Sequence, residues 1–196
     1  MKPPLIIDHA IPAQYQDLIA QTTLSQQFPW YTVHEKSSFN TKFNLCFSHL
    51  ALNDGPDATP GSTASNFYNM LLPVNYIMAD HLNKKILKIL RIRVGLLTPM
   101  NSVSLPEKDV NFSLSGDEPH VDFKIPHYTG LYYVNDSDGD TIIYNETVES
   151  DTYTELACSS PKKGRICIFD GSHYHAATKP KESYSRIVIT YNFTAE

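Results

Sequence analysis

The sequence predicts a mainly β fold with flanking α-helices, a jelly roll, from two observations. The texture of the chain changes near residue 90, after which the apolar runs shorten and become rich in Val, Ile, Thr, Tyr and Phe. Turn residues then separate eight such runs at short intervals, and many short strands after a few helices are arranged most simply as a double-sheet roll. With 196 residues, a single domain is expected, and on the order of 70% of the unfolded chain's surface is buried. Residues 1–88 read as a mixed α/β support region and 89–196 as the jelly-roll core.

Element by element, Leu5-Ile6-Ile7 reads as a short strand. A helix follows from about Pro12 to Thr23, with Pro12 in the tolerated first turn and Tyr15, Leu18 and Ile19 at helical spacing. The Gly, Pro, Asp and Ser cluster from Asn53 to Ser65 is a surface loop. A second helical region spans roughly Ala64 to Lys85, and Pro73 is expected to break or kink it. Its later part carries Val74, Ile77, Met78, His81 and Leu82 on one face, with His81 packed or capping. Strands are expected near Ile89–Leu97, Phe112–Leu114, Pro119–Phe123, Leu131–Asn135, Thr141–Asn145, Arg165–Phe169, Tyr174–Ala177 and Arg186–Phe193. The long stretch Thr98–Asp117, with Pro99, Pro106 and Gly116, exceeds ordinary loop length and reads as a lid.

Composition narrows the function. Sixteen Lys+Arg against 21 Asp+Glu gives a net charge of −5 with no block of like charge, so no nucleic-acid partner is expected. The one dense basic stretch, Lys84 to Arg93, alternates with apolar residues and reads as the polar face of ordinary secondary structure. Cys46, Cys158 and Cys167 are odd in number and have no Cys-x-x-Cys spacing, which argues against a disulfide framework and a cysteine zinc site. No apolar run reaches the length of a membrane span or signal segment. The expectation is a cytoplasmic protein without a membrane partner.

The chemistry begins at His120-Val121-Asp122, where one intervening residue in an extended strand points both side chains the same way. Alone the pair is weak, since a solvated strand end explains it equally well. A non-haem iron site needs two imidazoles and one carboxylate on one face of an octahedron, with three positions open, so a distal histidine is required. His173 and His175 both qualify by position. Arg186 opens a strongly strand-like run, Arg186 to Phe193, and a guanidinium leading a buried strand calls for an anionic partner such as a carboxylate. Tyr128, Tyr132 and Tyr144 are candidate cleft residues, and His127 stands near the cleft mouth or at the surface.

Five motifs occur in one order: Pro119-His120-Val121-Asp122; Gly130 to Asn135; Asp138-Gly139-Asp140-Thr141; Gly164 to Gly171; then His175 and Arg186. This order resembles the Fe(II)/2-oxoglutarate-dependent dioxygenases, above all their prolyl-4-hydroxylase-like branch, which includes small virus-encoded members. The resemblance covers residues 89 to 193, and more loosely Ile6-Ile7-Asp8 and Phe28-Pro29-Trp30. It implies a double-stranded β-helix with His120, Asp122 and His175 as iron ligands. Arg186 and the Tyr133 hydroxyl would bind the distal carboxylate of 2-oxoglutarate. The pattern Phe-Asp-Gly-x-x-x-His, with Arg eleven residues later, selects His175 over His173. The implied cofactors are Fe(II), 2-oxoglutarate as cosubstrate and O₂, with ascorbate in addition.

The implied activity is hydroxylation of an unactivated C–H bond, best matched to a prolyl or other protein side chain, with small-molecule substrates also compatible. Asp122 stands where halogenating relatives carry a small residue, which favours hydroxylation. The turn usually written Gly-Gly-Glu-Thr appears here as Asp138-Gly139-Asp140-Thr141, which keeps the central glycine and loses the first. Two other readings remain: a cupin-like metal enzyme without 2-oxoglutarate, which has no use for Arg186, and a non-catalytic jelly-roll module, which has no use for the metal.

Overall fold

The two longest strands, β4 (Ile86–Leu97) and β10 (Arg186–Ala195), show the logic of the molecule. Side chains alternate faces along a strand. In β10, Ile187, Ile189, Tyr191 and Phe193 enter one core, while Arg186, Val188, Asn192 and the half-buried Thr190 point to the other side. The computed structural model describes residues 3–32, 46–56, 58, 64–99 and 118–196. Among them are ten strands and two helices. The others are β1 (Leu5–Ile7), α1 (Ala13–Thr23), β2 (Tyr31–Thr32), β3 (Phe47–Asn53), α2 (Tyr68–His81), β5 (Tyr128–Tyr133), β6 (Thr141–Tyr144), β7 (Glu155–Ser159), β8 (Ile166–Asp170) and β9 (His175–Ala177).

Seven strands form one sheet in the order β1-β8-β5-β10-β4-β3-β2, and a smaller sheet runs β7-β6-β9; every pairing is antiparallel. Both helices cover the outer face of the large sheet. α1 buries Gln16, Ile19, Ala20 and Thr23, and α2 buries Leu71, Val74, Asn75, Met78 and Ala79, each set at helical spacing. They join Ile92, Val94, Tyr132, Ile189 and Tyr191 in the larger core. Gly130 lets this layer close, because a Cβ there would collide with the Met78 side chain. The inner face packs Leu131, Tyr133, Cys167, Phe169 and Val188 against Ile143 of the small sheet, giving a second core and the two-sheet roll that the sequence predicts.

Several elements differ from expectation. α2 runs unbroken through Pro73. The carbonyl deprived of its partner belongs to Asn69, and both residues lie on the exposed side of the helix. His81 is exposed in the last turn of α2. Only His120, in an isolated bridge, is strand-like in 119–123. β3 breaks the usual alternation, since His49 is buried while Leu50 is 46% exposed. His49 is accommodated by Pro29 O at 3.1 Å and Ser65 Oγ at 2.9 Å. β7, Glu-Leu-Ala-Cys-Ser, has little intrinsic strand preference and forms by pairing with β6. The strand expected at Phe112–Leu114 and the lid expected at Thr98–Asp117, from residue 100 onward, lie outside the described residues.

Candidate metal centre

Between the two sheets lies a cleft whose described walls include His120, Asp122, Leu131, Thr141, His175, Ala177, Arg186 and Val188. His120 and His175 come from different parts of the chain but form a backbone pair. His120 N–H donates to His175 O at 3.0 Å, and His175 N–H donates to His120 O at 2.9 Å. This reciprocal pairing puts the two imidazoles 4.7 Å apart, centre to centre. Each ring also has its Nδ1 turned toward a main-chain carbonyl: Glu118 O at 2.9 Å for His120 and His173 O at 3.3 Å for His175. A proton on Nδ1 leaves Nε2 as the lone-pair donor, the usual outer support of a metal-binding histidine.

Asp122 completes the group. One potential donor atom from each of His120, Asp122 and His175 lies within 4.8 Å of the others, and Asp122 Oδ2 stands 3.8 Å from His175 Nε2. Burial raises the Asp122 pKa, but Arg91, His175 and His120 outweigh it and hold the carboxyl well below its ordinary range. Burial, with help from nearby His120, pushes His175 down to about 4. At neutral pH the site therefore offers one anionic oxygen and a neutral imidazole at His175. Two imidazole nitrogens and one carboxylate suit a divalent first-row metal, so the donor set fits iron.

Asp122 is not on a strand, contrary to the reading of His-x-Asp as an extended pair. Its carboxylate is instead reached by side chains from the sheet: an Arg91 Nη donates to Oδ1, and Asn192 Nδ2 donates to Oδ2 at 2.8 Å. Arg91 Nε donates to Asn192 Oδ1 at 3.1 Å. The basic run ending at Arg93 is therefore not simply a solvated face, because Arg91 turns inward and Arg93 lines the cleft.

Arg186 leads β10 into the same cleft, only 5% exposed. Its Nε donates to Gly139 O and one Nη to Thr141 Oγ1, both at 2.6 Å. Tyr133 stands behind this pair, with its hydroxyl 3.0 Å from Thr141 Oγ1 and 3.2 Å from Ser159 O, and burial raises its pKa to about 12. The structure thus brings His120, Asp122, His175 and Arg186 to one cleft and sets Tyr133 one side chain further back. His173 is buried, with Nδ1 2.8 Å from Tyr144 O. His127 is buried as well, not at the surface or the cleft mouth, because its ring is wedged by Gly171 and bonded to Ile125 O at 2.7 Å. Tyr132 lies in the helix-side core, Tyr128 stacks on Phe193, and Tyr144 packs against Tyr153, so none of the three lines the described cleft.

Neither a protein-family model nor a curated protein matches the chain. Solved structures do. A prolyl-4-hydroxylase from Pseudomonas putida aligns over 97% of this chain and 91% of its own, with TM-score 0.58 and 12% identity. An oxidoreductase of the 2-oxoglutarate-Fe(II) oxygenase family from Burkholderia pseudomallei covers 98% and 85%, with TM-score 0.67 and 10% identity. This chain has the 2-oxoglutarate oxygenase fold. A prolyl hydroxylase from Trichoplax adhaerens, solved with a peptide fragment of hypoxia inducible factor, shares that fold over 97% of this chain and 83% of its own, with TM-score 0.58 and 15% identity. Among the described residues, no helix is long and apolar enough to cross a membrane.

Proposed function

We propose that the chain is an Fe(II)- and 2-oxoglutarate-dependent dioxygenase that hydroxylates an unactivated C–H bond of a prolyl or other peptide side chain. The observation that carries this reading is a buried arginine in the same cleft as a His-Asp-His donor set. A metal enzyme that binds its substrate directly has no need of Arg186, and a non-catalytic module has no need of the donor set. Residues 89–196 form the catalytic core in this reading, and 1–88 its support.

His120, Asp122 and His175 would hold the metal. Arg186 and the Thr141 hydroxyl would receive the distal carboxylate of 2-oxoglutarate, since a planar guanidinium suits a carboxylate fork. Tyr133 acts through Thr141, fixing the hydroxyl that Arg186 also grips. Bound together, Fe(II) and 2-oxoglutarate supply the oxidising power for hydroxylation by O₂, with succinate and CO₂ as coproducts. The chain's own task is to orient these partners and to exclude water, which Leu131, Val188 and Ala177 do along the cleft wall.

The peptide class is supported by the prolyl hydroxylases that share the fold, one of them bound to a peptide. The thiols of Cys46, Cys158 and Cys167 fit a reducing, cytoplasmic setting. The test is a coupled assay in which proline-containing peptides are supplied with Fe(II), 2-oxoglutarate, O₂ and ascorbate. Succinate formed in step with peptides that gain one oxygen atom supports the reading. Succinate formed at one rate with or without any peptide contradicts the peptide assignment.

A further inference from the structure

Asp122 has no strand to hold it, yet its carboxylate is only 4% exposed and both oxygens are engaged. Arg91 and Asn192, which engage them, are cross-strand partners on β4 and β10. Arg91 joins the arrangement twice, through one Nη to Asp122 Oδ1 and through Nε to Asn192 Oδ1 at 3.1 Å. Its guanidinium also lies 4.9 Å from the ring centre of Phe123, the residue after Asp122. Asn192 Nδ2 is fixed from behind by Thr129 Oγ1 at 3.1 Å. Thr129 Oγ1 lies in turn 3.3 Å from Nε2 of buried His127. The clamp therefore rests on strand backbone on three sides, while the residue it holds lies in a loop.

Resting on the metal-binding reading above, we propose that Arg91 and Asn192 are positioning residues that hold Asp122 as a one-oxygen ligand. Oδ1 is committed to Arg91. Oδ2 is the oxygen that stands nearer the imidazoles, 3.8 Å from His175 Nε2. With Oδ1 held, the carboxylate does not turn to offer both oxygens to one ion, so the clamp limits how many positions the protein itself fills. A simple loop staple would use the same ion pair but would have no effect on the bound metal.

The experiment is a Co(II) titration of the metal-free full chain, followed by visible absorption, for the wild type and for R91Q, R91K and N192A. Near-UV circular dichroism shows that each variant is folded. The proposal predicts that R91Q and N192A raise the Co(II) dissociation constant about ten- to a hundredfold and change the visible spectrum of the bound ion. R91K restores the charge without the fork, and its spectrum stays altered. Folded R91Q and N192A that bind Co(II) with wild-type affinity and spectrum overturn the clamp and leave a staple. If R91Q does not fold, N192A, which keeps the ion pair, decides by the same two readouts. A wild type that binds no Co(II) instead overturns the metal-binding reading and the clamp with it, so the two failures are distinguishable.

Discussion

Arg186 shows how a buried charge becomes useful. A guanidinium taken out of water is tolerated only where its donors are met, and the Gly139 carbonyl and Thr141 hydroxyl meet two of them. Thr141 is in turn held by Tyr133, so a ring with no solvent exposure controls a hydroxyl on the cleft wall. Tyr133→Phe removes the hydroxyl that Thr141 Oγ1 and Ser159 O share, while Thr141 keeps its bond from Arg186. The expected result is a loss of about 1 kcal/mol in urea denaturation, with a weaker hold on 2-oxoglutarate and no change in metal affinity. The residue types His120, Asp122, His175 and Arg186 were legible because their order resembles a known pattern. Arg91 and Thr141 were not legible, because their partners Asn192 and Arg186 are 101 and 45 residues away. Strand register brings Arg91 beside Asn192, the packing of one sheet on the other brings Thr141 to Arg186, and spacing along the chain encodes neither.

At the scale of elements, the turn between β5 and β6 sets the position of Arg186. Gly139 is needed there for space: a Cβ would lie 2.6 Å from Thr178 O, 2.9 Å from Arg186 Cδ and 3.0 Å from Pro180 N. Two of those neighbours are backbone atoms and cannot swing aside. Gly139→Ala is therefore expected to displace the Arg186 side chain and weaken 2-oxoglutarate binding at least about tenfold, roughly the effect of 1.4 kcal/mol. Metal affinity, measured by Co(II) titration, should be unchanged. This crowding accounts for the glycine in Asp138-Gly139-Asp140-Thr141. Asn135 fixes the same region, accepting from Ile187 N–H and donating to Ser185 O, each at 2.9 Å. Asn135→Ala leaves both main-chain groups without that partner, and a loss of about 1–3 kcal/mol is expected in the same denaturation measurement. β3 was hidden from sequence reading for a related reason: a buried His49 and an exposed Leu50 reverse the pattern that marks a strand.

Over the whole molecule, the sheet-rich second half was visible in the shortening apolar runs, while the seven-stranded sheet that joins β1, β2 and β3 to it was not. That sheet buries groups whose titration couples to folding. Burial raises Cys167 to about 12, while partial desolvation and Asp140 raise Cys158, an exposed residue of the small sheet, to about 11; both thiols ionise from 9.0 when unfolded. The unfolded chain therefore loses these protons first, so it binds fewer protons than the folded chain and stability falls as pH rises above about 9. Tyr133 adds to the fall between its ordinary value of 10.0 and about 12. Denaturation midpoints measured from pH 8 to about 11 should decline, and less steeply in Cys167→Ala. An equal slope in that variant would contradict the burial argument.

The central claim is that one cleft holds both a metal and a 2-oxo acid, and anaerobic titration with Fe(II) and then 2-oxoglutarate tests it most directly. Chelation of the metal by the keto acid gives a weak visible charge-transfer band. The account predicts that band in the wild type, its loss in His175→Ala, and a demand for far more 2-oxoglutarate in Arg186→Ala. Iron that binds without the band, or an Arg186→Ala variant that titrates like the wild type, would contradict it.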